Sequence, residues 1–522
     1  MAQGGGSSRA EHSDLAVLTA AEMRQVENAA FARGLPSFEA MRRAGSAVAA
    51  EVMRRWPSGT LDTVTVLCGP GNNGGDGFIA AAALGAAGYP VRVQATSIAA
   101  PRSADAQAAL TGWTGEVAAL DPDALEALGA RDLVIDALFG IGLTRLLDGA
   151  VLATVEAVNR SGAPVVAVDV PSGIDADTGL APGAAIDADV TVTFGWAKRG
   201  HLLLPAAAHC GELVVADVGF TATDLAVIPI ACFRNAPAFW RDAYPLPGTQ
   251  DHKYRRGHVV VAGGAVMTGA ARLAARAARR VGVGMMTLAV PPAAWAVYAA
   301  DQAGAIVRPA ADRDAVLALA ADDRVTALLV GSGLEPVAET ATLVRGAVAL
   351  GKPLVVDGGG LTALALDGGL SRGGSWQGRP DLVLTPHEGE FARLFPEVAG
   401  QGGKLDRARA AAAASGCTIV LKGADTVIAG PDGRALMCDL APATLATAGS
   451  GDVLAGAVAG LLGLHLAPLP AAAMAVWLHG EAARELGLGL IAEDLPDRLA
   501  QILTGVLAGD LGQKAANPGR SQ

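Results

Sequence analysis

Residues 68–78 read CGPGNNGGDGF, and the fold of the N-terminal half turns on this stretch. The apolar run DTVTVLC at residues 62–68 leads into it as a short buried strand, and an Ala-rich apolar segment follows, so the glycines sit at a strand-to-helix junction. Gly69, Gly71 and Gly74 satisfy G-x-G-x-x-G. A helix predicted to begin near Asp76 would aim backbone N–H groups and its N-terminus at an anion, so a phosphate-bearing ligand is expected. Enzymes that hold a dinucleotide for hydride transfer need an acid about 20 residues further on to meet the adenine ribose. That position is Gln94, and no acid follows until Asp105. The loop is predicted to bind a nucleotide without serving as a redox cofactor site.

Upstream, AEMRQVENAAFARG and FEAMRRAGSAVAAEVMRRW carry apolar residues at helical spacing. Downstream, the strand candidates VRVQA, LVIDAL, VVAVDV and VTVTF are separated by Ala-rich helical stretches, the pattern of a parallel sheet with helices on both faces. The predicted architecture is α/β, a Rossmann-like three-layer domain over 15–220 behind a disordered tail, 1–14. Residues 221–249 lose the periodicity and collect prolines and aromatics, as a linker would. A second α/β domain over 250–508 alternates HVVVAGG, MMTLAV, TALLVG, PLVVDG, DLVLTP and TIVLKG with helices, and a tail follows at 509–522. Residues 366–380, LDGGLSRGGSWQGRP, read as a surface loop.

The length of 522 residues suits two large α/β domains, and 51% hydrophobic residues supply their cores. A net charge of -11 offers no positive field for nucleic acid or anionic membrane, so neither is expected as a partner. The five cysteines are scattered without C-x-x-C spacing, which argues against a disulfide framework or a zinc site and for the cytoplasm. Val453 to Gly480 carries no formal charge, but Pro468 and Pro470 interrupt it, so two buried helices are expected rather than a membrane span.

Asp136 in VIDALFGIGLTR, Asp169 in VDVPSGID and the nearby Ser172 lie at predicted strand ends, where loops of an open parallel sheet converge on ligands. Each has a plainer reading as a helix cap or turn residue. Lys198, between glycines in a loop, is expected to be solvated, with phosphate steering or action on a substrate ring as the alternatives. In the second half, Gly449, Ser450 and Gly451 lead into a helix as an anion pocket, and Asp452 at its start is placed to accept a hydroxyl proton during phosphoryl transfer. Lys422, Gly423 and Thr426 in LKGADT suit a nucleotide, and His387 in LTPHEGEF stands at a strand end.

The ordered set GPGNNGGDG, VIDALFG, VDVPSGID and WAKRG resembles the epimerase domain of NAD(P)H-hydrate repair enzymes. The set HKYRRGHVVVAGG, VGSGLEP, TPHEGEF, KGADT and GSGDVLAG resembles the ribokinase-like, nucleotide-dependent NAD(P)H-hydrate dehydratase. For the first domain the resemblance implies that the hydrated nucleotide meets Asn72, Asn73, Gly74, Gly75, Asp76, Gly140, Ile141, Gly142, Leu143, Thr144, Arg145, Leu146 and Asp169. It further implies a K⁺ ion on Asn73, Asp136 and Ser172, with Asp136 and Asp169 as carboxylates for proton exchange and no assignment of acid or base. For the second it implies substrate contacts at Ala270, Gly333, His387 and Asp452, and nucleotide contacts at Lys422, Gly423, Ala424, Asp425, Thr426 and Gly451.

The implied chemistry is epimerisation of the R and S hydrates and dehydration of the S form at the expense of ADP, with Mg²⁺, and with ATP as a possible replacement for ADP. A homo-oligomer is expected. Where the family usually has D-A-D, this chain has Asp357-Gly358-Gly359, which puts the role of the second carboxylate in doubt. The competing reading is a ribokinase-like small-molecule kinase with a nucleotide-sensing domain.

Overall fold

A computed structural model describes residues 12–96, 103–143, 145–301, 303–369 and 379–509. It divides into two compact units that meet in sequence between Ile230 and Ala231.

The first unit is built on seven strands, β1 (Thr63–Cys68), β2 (Val91–Ala95), β3 (Val117–Ala119), β4 (Asp132–Ala137), β5 (Val165–Val168), β6 (Val190–Phe194) and β7 (Glu212–Ala216). All pairings are parallel, in the order β3-β2-β1-β4-β5-β6-β7. The first six follow the doubly wound dinucleotide-binding order, in which the chain reverses direction beside β1 and opens a crevice at the strand ends.

Successive side chains on a strand face opposite sides, and both sides of this sheet are buried. Val64, Val66 and Cys68 join Ile135 and Phe78 in one apolar cluster, while Leu67 and Val134 join Val155 and Val158 in another. Helices α1 (Ala20–Ala32) and α2 (Ser37–Arg55) precede the sheet. Strands Val17–Leu18 and Ala197–Lys198 form a separate parallel pair, which fixes the loop carrying Lys198.

The glycine loop differs from expectation in one respect: helix α3 spans Asn72–Ala86 and begins four residues before Asp76. Asn and Gly are poor helix formers, so local propensity argues against this start. Packing overrides it, because a Cβ at Gly74 would run into the Gly69 carbonyl, and one at Gly75 would stand 2.7 Å from Met41 Sδ.

In the second unit, β8 (Cys232–Arg234), β9 (His258–Ala262), β10 (Met285–Val290), β11 (Ile306–Pro309), β12 (Ala327–Val330), β13 (Leu354–Val356), β14 (Leu382–Leu384), β15 (Thr418–Leu421), β16 (Val427–Ala429) and β17 (Ala435–Met437) form one sheet. Its order is β8-β17-β16-β15-β14-β13-β12-β9-β10-β11, parallel except where β16 pairs with β15 and β17. The helices that shape its site are α4 (Thr268–Arg280), α5 (Gly358–Leu366), α6 (Glu388–Leu394), α7 (Lys404–Ser415), α8 (Ser450–Gly463) and α9 (Pro468–Leu486). Pro468 opens α9 at its first position, where a missing N–H costs nothing. Among the described residues no helix is long and apolar enough to cross a membrane.

The stretch 221–249, expected as a linker, is shared between the units. Residues Ala222–Leu225 form a short helix whose own Asp224 is bound by Arg33 of the first unit, at 2.8 Å, while Cys232–Arg234 pairs with β17 of the second. Ser13 belongs to a helical turn rather than a loose tail, and its carbonyl accepts from Trp196 Nε1 at 2.8 Å. Thr144, residues 370–378 of the expected surface loop, 1–11 of the first tail and 510–522 of the last lie outside the described residues.

Candidate functional sites

In the first unit the loops after β1, β4 and β5 meet. Asp136 closes β4 and is fully buried. Its Oδ2 accepts from the Ser172 N–H at 2.7 Å and its Oδ1 from the Ser172 hydroxyl at 2.7 Å and the Leu138 N–H at 3.2 Å. Burial raises its carboxyl to about 6 against these hydrogen bonds, and no basic side chain is among the groups acting on it. Ser172 Oγ in turn accepts from the Phe139 N–H at 3.0 Å.

Asp169 follows β5 with its backbone in the left-handed region, φ 65°, a strained position for a side chain other than glycine and most tolerable for Asp or Asn. Its Oδ2 accepts from the Ile141 N–H at 3.3 Å, and its Oδ1 accepts from Lys198 Nζ at 2.8 Å and Thr193 Oγ1 at 3.0 Å. Lys198 is 1% exposed and also donates to Thr193 Oγ1, at 2.7 Å, so the expectation of a solvated lysine is corrected. A buried ammonium is tolerable only beside such partners.

Burial pushes the Asp169 carboxyl up, but the Lys198 charge and hydrogen bond hold it below the ordinary carboxylate value. Asp76 moves the other way: burial first, then Asp169 and Glu27, drive its carboxyl well above the usual range. Burial also raises Glu27, a residue the sequence did not single out. The Lys198 charge acts on Asp169 and Glu27 but not on Asp76, which feels the two other acids instead.

Gly140 connects these groups, since a Cβ there would lie 3.0 Å from Asp169 Oδ2 and 3.1 Å from Asn73 Oδ1. Asn73, Gly140, Ile141 and Asp169 therefore line one spot, which a side chain at 140 would fill. Asn72 is exposed and accepts from Ser103 Oγ at 2.6 Å, and Arg145 and Leu146 are exposed as well. Asn73 Nδ2 is buried without a hydrogen-bond partner.

In the second unit, Asp357 at the end of β13 is buried and binds three groups: its Oδ1 accepts from Lys422 Nζ at 3.0 Å and Thr385 Oγ1 at 2.8 Å, and its Oδ2 from Ser332 Oγ at 3.4 Å. Asp452 stands in the first turn of α8. Burial first, and then Asp357, raise its carboxyl to about 6, against a Ser332 hydrogen bond and the Lys422 charge. Ser332 brings Asp452 beside Gly333. A Cβ on Gly333, itself at φ 77°, would come within 3.0 Å of Ala270 Cβ, so these expected substrate residues adjoin.

His387 caps α6: its Nδ1 accepts from the Gly389 N–H at 3.0 Å and the Glu390 N–H at 3.3 Å, which in the neutral ring leaves the proton on the exposed Nε2. The Lys422 N–H donates to the Pro386 carbonyl at 2.8 Å and joins the two loops.

A cavity of about 390 Å³ opens between them, lined by His387, Lys422, Gly423, Ala424, Thr426, Ser450 and Gly451 with an apolar side of Pro442, Leu445, Leu454 and Val476. Concave, mostly apolar space with a few convergent polar groups is the usual form of a small-ligand site. Asp425 is turned away from it, accepting from the buried Lys404 Nζ at 2.6 Å. Lys404 also donates to the Lys422 carbonyl at 3.4 Å and so braces the KGADT loop from behind, a role no local pattern announces. The departure at Gly359 is sterically enforced, because a Cβ there would run into the Leu334 carbonyl oxygen.

Comparison with known proteins gives two family matches in chain order: the YjeF-related protein N-terminus over residues 37–200 and NAD(P)H-hydrate dehydratase over 258–505. A bifunctional NAD(P)H-hydrate repair enzyme of Synechocystis is 34% identical over 493 residues, 90% of each chain. That of Moorella thermoacetica is 36% identical over 518 residues, 93% of this chain and 96% of the relative. Among solved structures, an ADP/ATP-dependent NAD(P)H-hydrate dehydratase from Bacillus subtilis co-crystallised with ATP and Mg²⁺ is 28% identical, covering 52% of this chain and 98% of that one, with a TM-score of 0.45.

Proposed function

The chain belongs to the bifunctional NAD(P)H-hydrate repair enzymes, and from that premise we propose how its residues divide the work. The first unit interconverts the R and S hydrates of NAD(P)H, and the second dehydrates the S form. Fusion supplies the second reaction with the epimer it would otherwise leave stranded.

The observation that carries the epimerase reading is the opposite displacement of two neighbouring carboxyls, Asp76 upward and Asp169 downward. Environments that separate two acids in this way assign one to hold a proton and the other to take one. Asp76 protonates the ring hydroxyl as it departs as water, with the ring nitrogen stabilising the cation. Asp169, kept ionised by Lys198, takes the proton from the water that adds to the opposite face.

Asn73, Asp136 and Ser172 fit a K⁺ ion. Their donors are oxygens suited to a hard cation. Asp136 is a buried carboxylate without a basic partner, and the Asn73 amide, turned over, presents an oxygen where an unpartnered nitrogen is buried. An ion held by these residues would supply the positive charge that Asp136 lacks.

In the second unit Asp452 accepts the proton of the substrate hydroxyl as that oxygen attacks the terminal phosphoryl group of ADP and AMP leaves. The ring nitrogen then expels phosphate to give an iminium cation, and loss of a proton from the adjacent ring carbon to water restores the dihydropyridine. Lys422 and the N–H groups at Gly449–Gly451 neutralise the developing charge. Mg²⁺ fits as an ion carried on the nucleotide phosphates, where it would withdraw charge from the transferred group; Asp357, already bound by Lys422 and Thr385, offers it little more than one carboxylate edge. ADP is the preferred donor, with ATP as a second. The five free, buried cysteines accord with the cytoplasm.

Product analysis tests the second half. With ADP and S hydrate, AMP, phosphate and reduced nicotinamide form in equal amounts. A stable phosphorylated product without reduced nicotinamide would instead favour the kinase.

A further inference from the structure

The two loops that wall the large cavity are tied together from behind by one buried charge. Lys404 is the first residue of α7 and is 9% exposed. Its Nζ donates to Asp425 Oδ1 at 2.6 Å and to the Lys422 carbonyl at 3.4 Å, both in the loop that follows β15. The same nitrogen stands 3.9 Å from Glu388 Oε1, and Glu388 opens α6 directly after His387. One ammonium therefore spans both loops.

Each partner is itself held. Asp425 is 6% exposed, so its pair with Lys404 lies away from water, where a charge is tolerable only beside its partner. Arg407, one turn along α7, donates to both Glu388 oxygens, at 2.7 and 3.1 Å, and fixes that carboxylate beside Lys404. Gly423 gives the ammonium its room. A Cβ there would run into Lys404 Nζ, and the Gly423 backbone lies outside the left-handed region, so the missing side chain serves this approach rather than a turn.

The same loops line the cavity through His387, Lys422, Gly423, Ala424 and Thr426. Near the sheet they are joined by backbone: the Lys422 N–H donates to the Pro386 carbonyl at 2.8 Å, and His387 pairs with Lys422 as a short parallel bridge. Beyond that point Thr426 Oγ1 clips the loop to itself, donating to the Gly423 carbonyl at 2.7 Å and accepting from the Gly423 N–H at 3.2 Å. Lys404 carries the connection outward from the sheet, to Glu388 on one side and Asp425 on the other. None of these ties involves Asp452, which stands on α8.

We propose that Lys404 is a positioning residue for the dehydration, holding the nucleotide loop at 422–426 in register with His387, so that the affinities for ADP and for the hydrate both depend on a side chain that lines neither site. The assignment rests on the reading of 422–426 as the ADP loop and of His387 as a hydrate contact. A misplacement of about 1 Å is enough to cost a reaction about a hundredfold. Loss of Lys404 acts on both loops at once, whereas loss of a residue that only touches ADP acts on one.

Steady-state dehydration by the full chain, with ADP varied at saturating S hydrate and the reverse, tests this. Lys404→Met is expected to raise both KM values roughly tenfold and to lower kcat no more than about threefold, because binding rather than the chemical step is lost. That variant strands the Asp425 carboxylate, so Lys404→Met combined with Asp425→Asn, which removes both charges at similar size, is measured beside it with the thermal midpoint of each. Gly423→Ala, which displaces the ammonium without removing it, is expected to weaken the hydrate as well as ADP. Unchanged KM values in the double variant, a rise in the ADP constant alone, or a loss confined to kcat would overturn the positioning role and leave the two sites standing. Wild type without saturable use of ADP would overturn the nucleotide reading of the loop, and the assignment with it.

Discussion

Lys198 Nζ stands 2.8 Å from Asp169 Oδ1, a lysine and a carboxylate held together inside the first unit with almost no exposure to water. The pair joins residues 29 apart in sequence, on a loop beside β6 and on the turn after β5. Removing one member of such a pair strands the other charge and typically costs about 3–5 kcal/mol. Lys198→Met is therefore expected to abolish epimerisation and to lower the unfolding midpoint of the first unit. Lys198→Arg is expected to recover little, since the longer planar group lacks room beside Thr193. Thermal unfolding and epimer interconversion, followed separately, check both.

The Asp136 carboxyl gives a signed pH prediction. Its folded value of about 6 exceeds the unfolded value near 4, so the native state binds more protons between them, and stability falls as pH rises from about 4 to about 6. Above that window the full cost is present, and a bound cation offsets it. K⁺ is expected to stabilise the first unit at pH 7–8 by up to about 2.7 kcal/mol at a hundred times its dissociation constant, where tetramethylammonium does not. Asp136→Asn should lose both the K⁺ effect and this part of the pH dependence. A midpoint indifferent to K⁺ in the wild type would exclude the cation site.

Asp452 must be ionised to take a proton, so dehydratase kcat/KM is expected to rise with pH through an apparent pKa of about 6 to a plateau. The neighbours set the direction of change. Asp357→Asn removes a negative charge that raises Asp452 and should move the rise to lower pH, whereas Lys422→Met removes a positive charge and should move it higher and weaken ADP binding. Asp452→Asn should leave no dehydration. Profiles that do not separate in these opposite directions would remove Asp452 from the base role.

Gly359→Asp makes a structural test. It restores the acid common in the family, yet its Cβ would meet the Leu334 carbonyl, so it is expected to destabilise the second unit by about 1–3 kcal/mol without improving turnover. A variant as stable as wild type and more active would show that the chain accommodates the second carboxylate.

Much of this organisation is readable locally. Acids at strand ends, as at Asp136 and Asp169, and an acid after the glycines that open a helix, as at Asp452, carry their meaning within a few residues, because both the strand period and the helix start are short-range signals. What escapes is set by distant partners. Lys198 between glycines looks solvated until Asp169 and Thr193 close over it, and the start of α3 at Asn72 defies helix propensity because the Gly69 backbone and the Met41 side chain leave no room for side chains at Gly74 and Gly75. Cys232–Arg234 looks like linker because the strand it completes lies about 200 residues away. Lys404 sits in an Ala-rich helix with no motif around it. Only its end in space, at the KGADT loop, distinguishes it.

In the proposed division of labour one chain repairs both epimers through two separable sites. The measurement that tests it most directly follows the absorbance of reduced nicotinamide in a mixture of R and S hydrates with ADP, for wild type, Asp136→Ala and Asp452→Asn. Wild type is expected to recover the full mixture, Asp136→Ala the S portion alone beyond slow spontaneous epimerisation, and Asp452→Asn none. Full recovery of both epimers by Asp136→Ala at the wild-type rate, or any sustained recovery by Asp452→Asn, would contradict it.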